Sequence, residues 1–188
     1  MTLSGDQCLR QLGSNHKLWS MRILLAFLIT ISVFSAGQLK YDRAIDWNLP
    51  KIVLERFESD KFLKSYDLCD KINPFYLRGD FDGDGIPDYA VLVTSRATKQ
   101  VGIAIVRSGA KKIEVLGAGG VNLQDGSLKD FGWMDAWVVE RKHKLEPNDW
   151  DKSIGQMVGE GIDVEKSESA SALVYWDGKQ YRWFQTSD

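Results

Sequence analysis

Four aspartates within nine residues are the feature of this sequence most able to do chemistry. They are Asp80, Asp82, Asp84 and Asp88, and they lie in the stretch "LRGDFDGDGIPDYAVLV" just before a run of apolar residues. Carboxylates this close repel one another unless the loop is solvated or a positive charge lies among them. The stretch is therefore a candidate cation site, and a solvated Asp-Gly turn is the alternative.

The spacing of these aspartates matches the ligand spacing of a calcium loop. With Asp80 at position 1, aspartates fall at positions 1, 3, 5 and 9, Gly85 at position 6 and the Ile86 carbonyl at position 7. Hard oxygen ligands without histidine or cysteine favour calcium, whereas magnesium demands a stricter octahedron. The predicted ligands are Asp80, Asp82, Asp84, the carbonyl of Ile86, and Asp88.

The loop departs from the helix-loop-helix calcium motif at its end. Position 12, normally a bidentate glutamate, is Val91, and Pro87 begins an exit into the apolar segment "YAVLV". A strand-flanked loop that lacks the bidentate ligand is expected to bind calcium weakly, on the order of 10⁻⁵ to 10⁻³ M. Such an affinity suits an environment outside the cytosol.

The segment "GDFDGDGIPDYAVLV" resembles the core of an FG-GAP or VCBS-type repeat, which has a strand, a D-x-[DN]-x-D-G-x-x-D loop and an apolar strand. This resemblance implies calcium ligation by the four aspartates and the Ile86 carbonyl. Families that carry the motif usually repeat it around a β-propeller. A propeller is not expected here, because this sequence has a single copy. The whole chain is also similar to small exported bacterial proteins of uncharacterised function, which implies no activity.

The segment "GWMDAWVVERKH" holds a second candidate site. Strand alternation would place Trp133, Asp135 and Trp137 on one face, where two indoles beside a carboxylate could stack a sugar ring or a peptide. The alternative is that these indoles fill the core while Asp135 bonds to a backbone or indole N–H.

Support for catalysis is thin. His143 lies in the charged run "ERKHK", nothing around Cys69 in "YDLCDK" suggests thiol activation, and Asp135 and Glu140 point to opposite faces of a regular strand. The sequence therefore favours a binding or interaction domain without catalytic residues, with a glycan or a protein of the cell envelope as partner. The alternative is a cell-envelope hydrolase that acts on glycan or peptide through Asp135, Glu140 or His143.

Length and charge limit the class of protein. The chain has 188 residues and a formal net charge of −2, with no polybasic run, so nucleic acid is not an expected partner. The length predicts one domain.

The first 37 residues contain the pattern of a targeting segment. From Met21, "MRILLAFLITISVFSAGQ" has a positive residue, an apolar stretch too short for a membrane span, and small residues before Gln38. This pattern predicts a signal peptide over residues 21–37, cleavage before Gln38, a periplasmic or secreted mature chain, and no stable membrane span after cleavage. Residues 1–20 are a doubtful upstream extension, so that translation could start at Met21. An uncleaved signal-anchor is the alternative.

The spacing of apolar residues predicts the helix and the strands that position the loop. A helix is predicted after Pro50, in a pattern that runs through Ile52 and Phe57 to Tyr66. Short β-rich segments follow, at Tyr76–Arg78, Tyr89–Thr94, Gly102–Arg107 and Ile113–Leu116. The predicted fold class is α+β, a single domain over residues 38–188 in which an N-terminal helix packs on a mainly antiparallel sheet of meanders and hairpins. The calcium loop spans residues 80–88.

A second β group ends in a hairpin around Asp177 and Gly178. If these two residues form the turn, Trp176 faces Lys179 and Val174 faces Tyr181. One surface, expected to be core, then carries Ala172, Val174, Trp176, Tyr181 and Trp183. The turn-rich segment "HKLEPNDWDKSIGQMVGE" between strands is expected to be a long loop.

Overall fold

The computed structural model describes residues 45, 48–123, 127–152 and 154–187, which belong to one compact unit. The predicted signal peptide over 21–37 and the upstream residues 1–20 lie outside the described residues. The described part contains nine β-strands, one α-helix and one 3₁₀ turn, and every strand pair is antiparallel.

Helix α1 (Lys51–Ser59) begins directly after Pro50, as predicted, and buries Val53 and Phe57. It is shorter than the sequence pattern suggested. Lys61 adopts a left-handed conformation with φ of 55°, and a 3₁₀ turn follows over Phe62–Lys64. Ile52, which the pattern placed on the apolar face, is 52% exposed. The apolar spacing beyond Ser59 therefore reflects a 3₁₀ turn and a strand, and not a continued helix.

The first sheet contains five strands. They are β1 (Tyr66–Leu68), β2 (Tyr76–Gly79), β3 (Asp88–Ser95), β4 (Val101–Val106) and β5 (Glu114–Gly117). Strand β3 pairs with β4 along one edge, while β2 and β1 pair with the two ends of its other edge. The four segments predicted from Tyr76 to Leu116 correspond to β2–β5 within about a residue at most ends.

The second sheet is a four-stranded meander. Its strands are β6 (Ala136–Glu140), β7 (Gly161–Lys166), β8 (Ala170–Trp176) and β9 (Tyr181–Ser187), in that order. The segment between β6 and β7 has no helix or strand among its described residues, which agrees with the predicted loop.

The β8–β9 hairpin differs from the predicted two-residue turn. Trp176 pairs with Tyr181 and Val174 with Trp183, so residues 177–180 form a four-residue loop. The Asp177 carboxylate causes this, because it accepts hydrogen bonds from the backbone N–H groups of Lys179 (2.8 Å) and Gln180 (2.9 Å). A shift of two residues keeps each side chain on its face. The apolar surface predicted for this hairpin accordingly belongs to, or packs against, the buried core that the two sheets share, called the main core below.

Both sheets contribute to one buried core. Its members include Ala90, Leu92, Ile103 and Ile105 from the first sheet, and Trp137, Val164, Ala172 and Val174 from the second. A second cluster joins the opposite face of the first sheet to α1, and a third joins the outer face of the second sheet to residues of the 141–160 loop. The structure is thus mostly β, with mainly antiparallel sheets and one short helix in the described part. The prediction of one sheet is wrong, because β6–β9 pair only with one another.

Candidate metal centre

The aspartate loop closes the β2–β3 hairpin. Gly79, at the end of β2, pairs with Asp88, at the start of β3, so residues 80–87 form the connection. Gly83 and Gly85 adopt φ values of 80° and 83°, which side chains other than that of glycine rarely accept. The tight path brings Asp80 back towards Asp88.

Three carboxylates converge in this loop. Asp80, Asp82 and Asp88 each offer an oxygen, and these oxygens all lie within 4.8 Å of one another. A single ion could contact all three, because calcium–oxygen distances are about 2.3–2.6 Å. The carboxylate of Asp84, a fourth predicted ligand, is not in this group. The Asp84 carboxylate accepts a hydrogen bond from the Ile86 N–H (2.7 Å), and the Ile86 side chain is 50% exposed.

Backbone N–H groups of the loop hold the carboxylates in place. Asp80 accepts from Gly83 N (2.7 Å) and Gly85 N (3.0 Å), and Asp82 accepts from Asp84 N (3.2 Å). These bonds are the local side-chain-to-backbone contacts that aspartate favours in turns. They orient the oxygens and partly offset their charge, while each oxygen keeps a lone pair that can bind a cation.

Asp88 is the buried member of the group. Its side chain is fully buried and accepts hydrogen bonds from Phe81 N (3.2 Å) and Ser108 N (2.8 Å). Burial is the largest of the causes that together raise its pKa to about 6; the charges of Asp82 and Asp84 also raise it, while the bonds from Ser108 N–H and Phe81 N–H lower it. A bound cation would offset the cost of ionising this carboxyl group.

A distant segment covers the loop. Glu160 N donates to the Asp80 carbonyl (2.6 Å), and Asp80 N donates to Glu160 Oε2 (2.8 Å). Gly159 approaches so closely that an added Cβ would lie 2.2 Å from the Asp80 carbonyl oxygen. Sequence reasoning missed this contact, because no local spacing links residues 80 positions apart.

Arg107 is a cation beside the loop that sequence reasoning also missed. It follows β4, and its Nη1 lies 3.7 Å from Asp82 Oδ2 while its Nη2 lies 3.4 Å from Glu114 Oε2. Its guanidinium carbon lies 5.1 Å from the centroid of the Trp176 ring. The β4–β5 hairpin brings Glu114 close to Arg107. A local sequence motif cannot predict this contact.

Trp133, Asp135 and Trp137 do not share an open surface. Trp137 is 2% exposed in the main core, and its Nε1 donates to the Pro74 carbonyl (2.8 Å). Trp133 precedes β6, so strand alternation does not govern it, and its ring meets that of Trp183 edge-on at 6.2 Å.

Asp135 is an exposed structural contact. It accepts hydrogen bonds from Lys166 Nζ (2.7 Å) and from Ser167 N (2.8 Å), which together hold the pKa of its carboxyl group well below the usual range. The arrangement therefore corresponds to the alternative to a ligand-binding surface, in which the indoles fill the core and Asp135 bonds to the backbone.

The residues of the hydrolase alternative are not gathered into a cleft. His143 Nδ1 lies 3.4 Å from Glu140 Oε1, and both side chains are nearly half exposed. Asp135 is occupied by Lys166, as described above. Cys69 is a free, partly buried cysteine that packs against the main core.

Comparison with family models, with curated proteins and with solved structures finds no match for this chain. Within the described residues, no helix is both long enough and apolar enough to cross a membrane. Evidence on function therefore comes from the site itself.

Proposed function

We propose that this chain is an exported binding or interaction domain whose loop over residues 80–88 binds a calcium ion. The observation that supports the proposal is the convergence of Asp80, Asp82 and Asp88, with oxygens within 4.8 Å of one another. All three donors are hard carboxylate oxygens, the kind that calcium prefers. Complete burial of Asp88 adds a second reason, because an ionised buried carboxylate needs a compensating charge.

The resemblance to the FG-GAP and VCBS-type repeat motif is part of this proposal. It supplies the reason to keep Asp84 and the Ile86 carbonyl in the proposed ligand set beside the three converging carboxylates. The ion would neutralise the loop and stabilise the β2–β3 connection. Its role is structural, and the binding partner we propose is a glycan or a protein of the cell envelope.

We also propose that the exported domain is α+β, with its N-terminal helix packed on the first sheet. Support comes from one buried cluster that contains Val53 and Phe57 of α1 together with Val91 and Val93 of β3. No contact among the described residues favours the hydrolase alternative.

Calcium titration by isothermal calorimetry tests the metal site. We expect the wild-type chain over residues 38–188 to bind calcium with a Kd on the order of 10⁻⁵ to 10⁻³ M. Asp88→Asn should weaken binding at least about tenfold, because it removes a charge from the converging group. Asp84→Asn should weaken it less, because Asp84 lies outside that group.

Asp149→Asn is the control, since Asp149 is fully exposed and pairs only with Lys152 in the described contacts. Its calcium affinity should equal that of the wild-type chain. An absence of calcium uptake by the wild-type protein would contradict the proposed function.

Export is tested separately, by mass spectrometry of the protein recovered from the cell envelope. The signal pattern over residues 21–37 predicts a mature amino terminus at Gln38. Recovery of the intact chain from Met1 in the membrane fraction would contradict cleavage.

A further inference from the structure

The Arg107 guanidinium lies between two anions. One is Asp82, a member of the converging group, at 3.7 Å, and the other is Glu114, at 3.4 Å. The face of the Trp176 ring lies 5.1 Å from the guanidinium carbon. Arginine suits such a position, because its planar cation can contact carboxylates and an aromatic face together. Arg107 therefore keeps Glu114 and Trp176 as partners even without its contact to Asp82.

Two buried polar atoms in residues that contact Trp176 have no partner among the described residues. They are the Tyr181 hydroxyl and Arg107 Nε, and Tyr181 is 5% exposed. Burial raises the pKa of Tyr181, and the charges of Arg107, Glu114, Asp88 and Asp82 all act on this hydroxyl. The Tyr181 ring lies 5.0 Å from the ring of Trp176, the residue that the Arg107 guanidinium contacts. Buried polar groups of this kind usually bind a water or an ion.

Resting on the calcium function proposed above, we propose that Arg107 is the internal counter-ion of the loop and that calcium displaces it from Asp82. A guanidinium and a divalent cation repel each other when both contact one carboxylate. Once displaced, Arg107 stays with Glu114 and Trp176, so the exchange leaves no charge unpaired. The calcium-free loop then keeps one positive charge, and calcium must compete with that charge to bind.

Arg107→Gln tests this competition. The variant should bind calcium about tenfold more tightly than the wild-type chain, which corresponds to removing the repulsion between charges of +2 and +1 about 6 Å apart in a water-like dielectric. Arg107→Lys keeps the charge and should stay within about threefold of the wild-type Kd. Arg96→Gln is a matched control, because Arg96 follows the opposite end of β3 and pairs with Asp67.

Glu114→Gln provides a second measurement if Arg107→Gln does not fold. Loss of Glu114 leaves Arg107 to pair with Asp82, so calcium binding should weaken. In the double variant, where Arg107 is absent, the effect of Glu114→Gln should shrink. An equal effect in both backgrounds would show that Glu114 acts only as a long-range charge, and it would overturn the proposal.

The calorimetric outcomes separate this inference from the function on which it rests. Calcium binding by the wild-type chain with an unchanged or weaker Kd for Arg107→Gln would overturn the counter-ion role and leave the calcium site standing. Binding by Arg107→Gln alone would support competition and overturn calcium binding by the native loop. No binding by either protein would overturn both.

Discussion

At the residue scale, Asp163 carries a carboxyl group whose ionisation the fold disfavours. It lies on β7 in the second sheet, and its Oδ1 is buried without a hydrogen-bond partner in the described part of the chain. Burial raises the pKa of this carboxyl group above 3.8, and the charges of Glu165 and Glu140 raise it further. Glu165 and Glu140 lie on the same sheet face as Asp163. Glu165 is two residues further along β7, and Glu140 is diagonally across from Asp163 on β6.

Asp163→Asn should therefore stabilise the protein at neutral pH. A folded-state pKa above the unfolded value means that ionising Asp163 costs more in the folded chain, so stability falls as pH rises through the folded pKa. Asparagine carries no charge at any pH. The variant should melt at a higher temperature at neutral pH, and the difference should shrink as pH approaches the ordinary aspartate pKa of 3.8.

Thermal melts over this pH range provide the measurement, with Asp149→Asn as the control. Asp149 is fully exposed, so its substitution should change the melting temperature little. A lower melting temperature of Asp163→Asn at neutral pH would contradict the assigned burial and repulsion.

At the scale of elements, the segment Val158–Glu160 is the piece of the 141–160 loop that covers the aspartates. Glu160 makes two hydrogen bonds to Asp80, one through its backbone N–H and one through its side chain, and Gly159 packs closely against the Asp80 carbonyl. The same segment leads directly into β7. The cover is therefore fixed in place by the second sheet.

Gly159→Ala should disrupt this cover. The added Cβ would lie 2.2 Å from the Asp80 carbonyl oxygen and 2.7 Å from Gly83 N, and these backbone atoms cannot rotate away. We expect a loss of about 1–3 kcal/mol of unfolding free energy, as for overpacking elsewhere, together with weaker calcium binding. Guanidinium chloride denaturation measures the first effect.

Gly109→Ala is the matched control for this substitution. Its Cβ would have an ordinary contact of 3.6 Å with Asp84 Oδ2, so its denaturation midpoint should stay close to that of the wild-type chain. Equal midpoints for the two variants would contradict the tight packing of Gly159.

The contrast between local and distant contacts explains what the sequence could predict. The convergence of Asp80, Asp82 and Asp88 could be predicted because all three lie within one loop. Arg107 and Glu160 were not found, because strand pairing and a distant loop bring them there. The Asp177 turn shows the same limit, since its side-chain bonds set a four-residue loop that the Asp-Gly pair alone does not predict.

At the scale of the whole molecule, the aspartate loop over residues 80–88 contacts parts of both sheets. Phe81, inside the loop, is buried in the core that both sheets share. Asp80 is hydrogen-bonded to Glu160, the residue that precedes β7 of the second sheet. An ion held by this loop would therefore stabilise both the hairpin and its contact with the second sheet. Calcium binding and global unfolding should be thermodynamically linked.

The linkage predicts how the melting temperature depends on calcium. A ligand that binds only the folded chain adds about 2.7 kcal/mol at 100 times its Kd. For a domain of this size that gain corresponds to a rise of roughly 5–10 °C in Tm. Scanning calorimetry should show this rise at that calcium concentration relative to excess chelator at matched ionic strength, while Asp88→Asn, with binding about tenfold weaker or more, should show at most about half of it. If the wild-type protein melts identically in calcium and in chelator, the aspartates form a solvated turn whose charge is offset by Arg107 and the loop N–H groups.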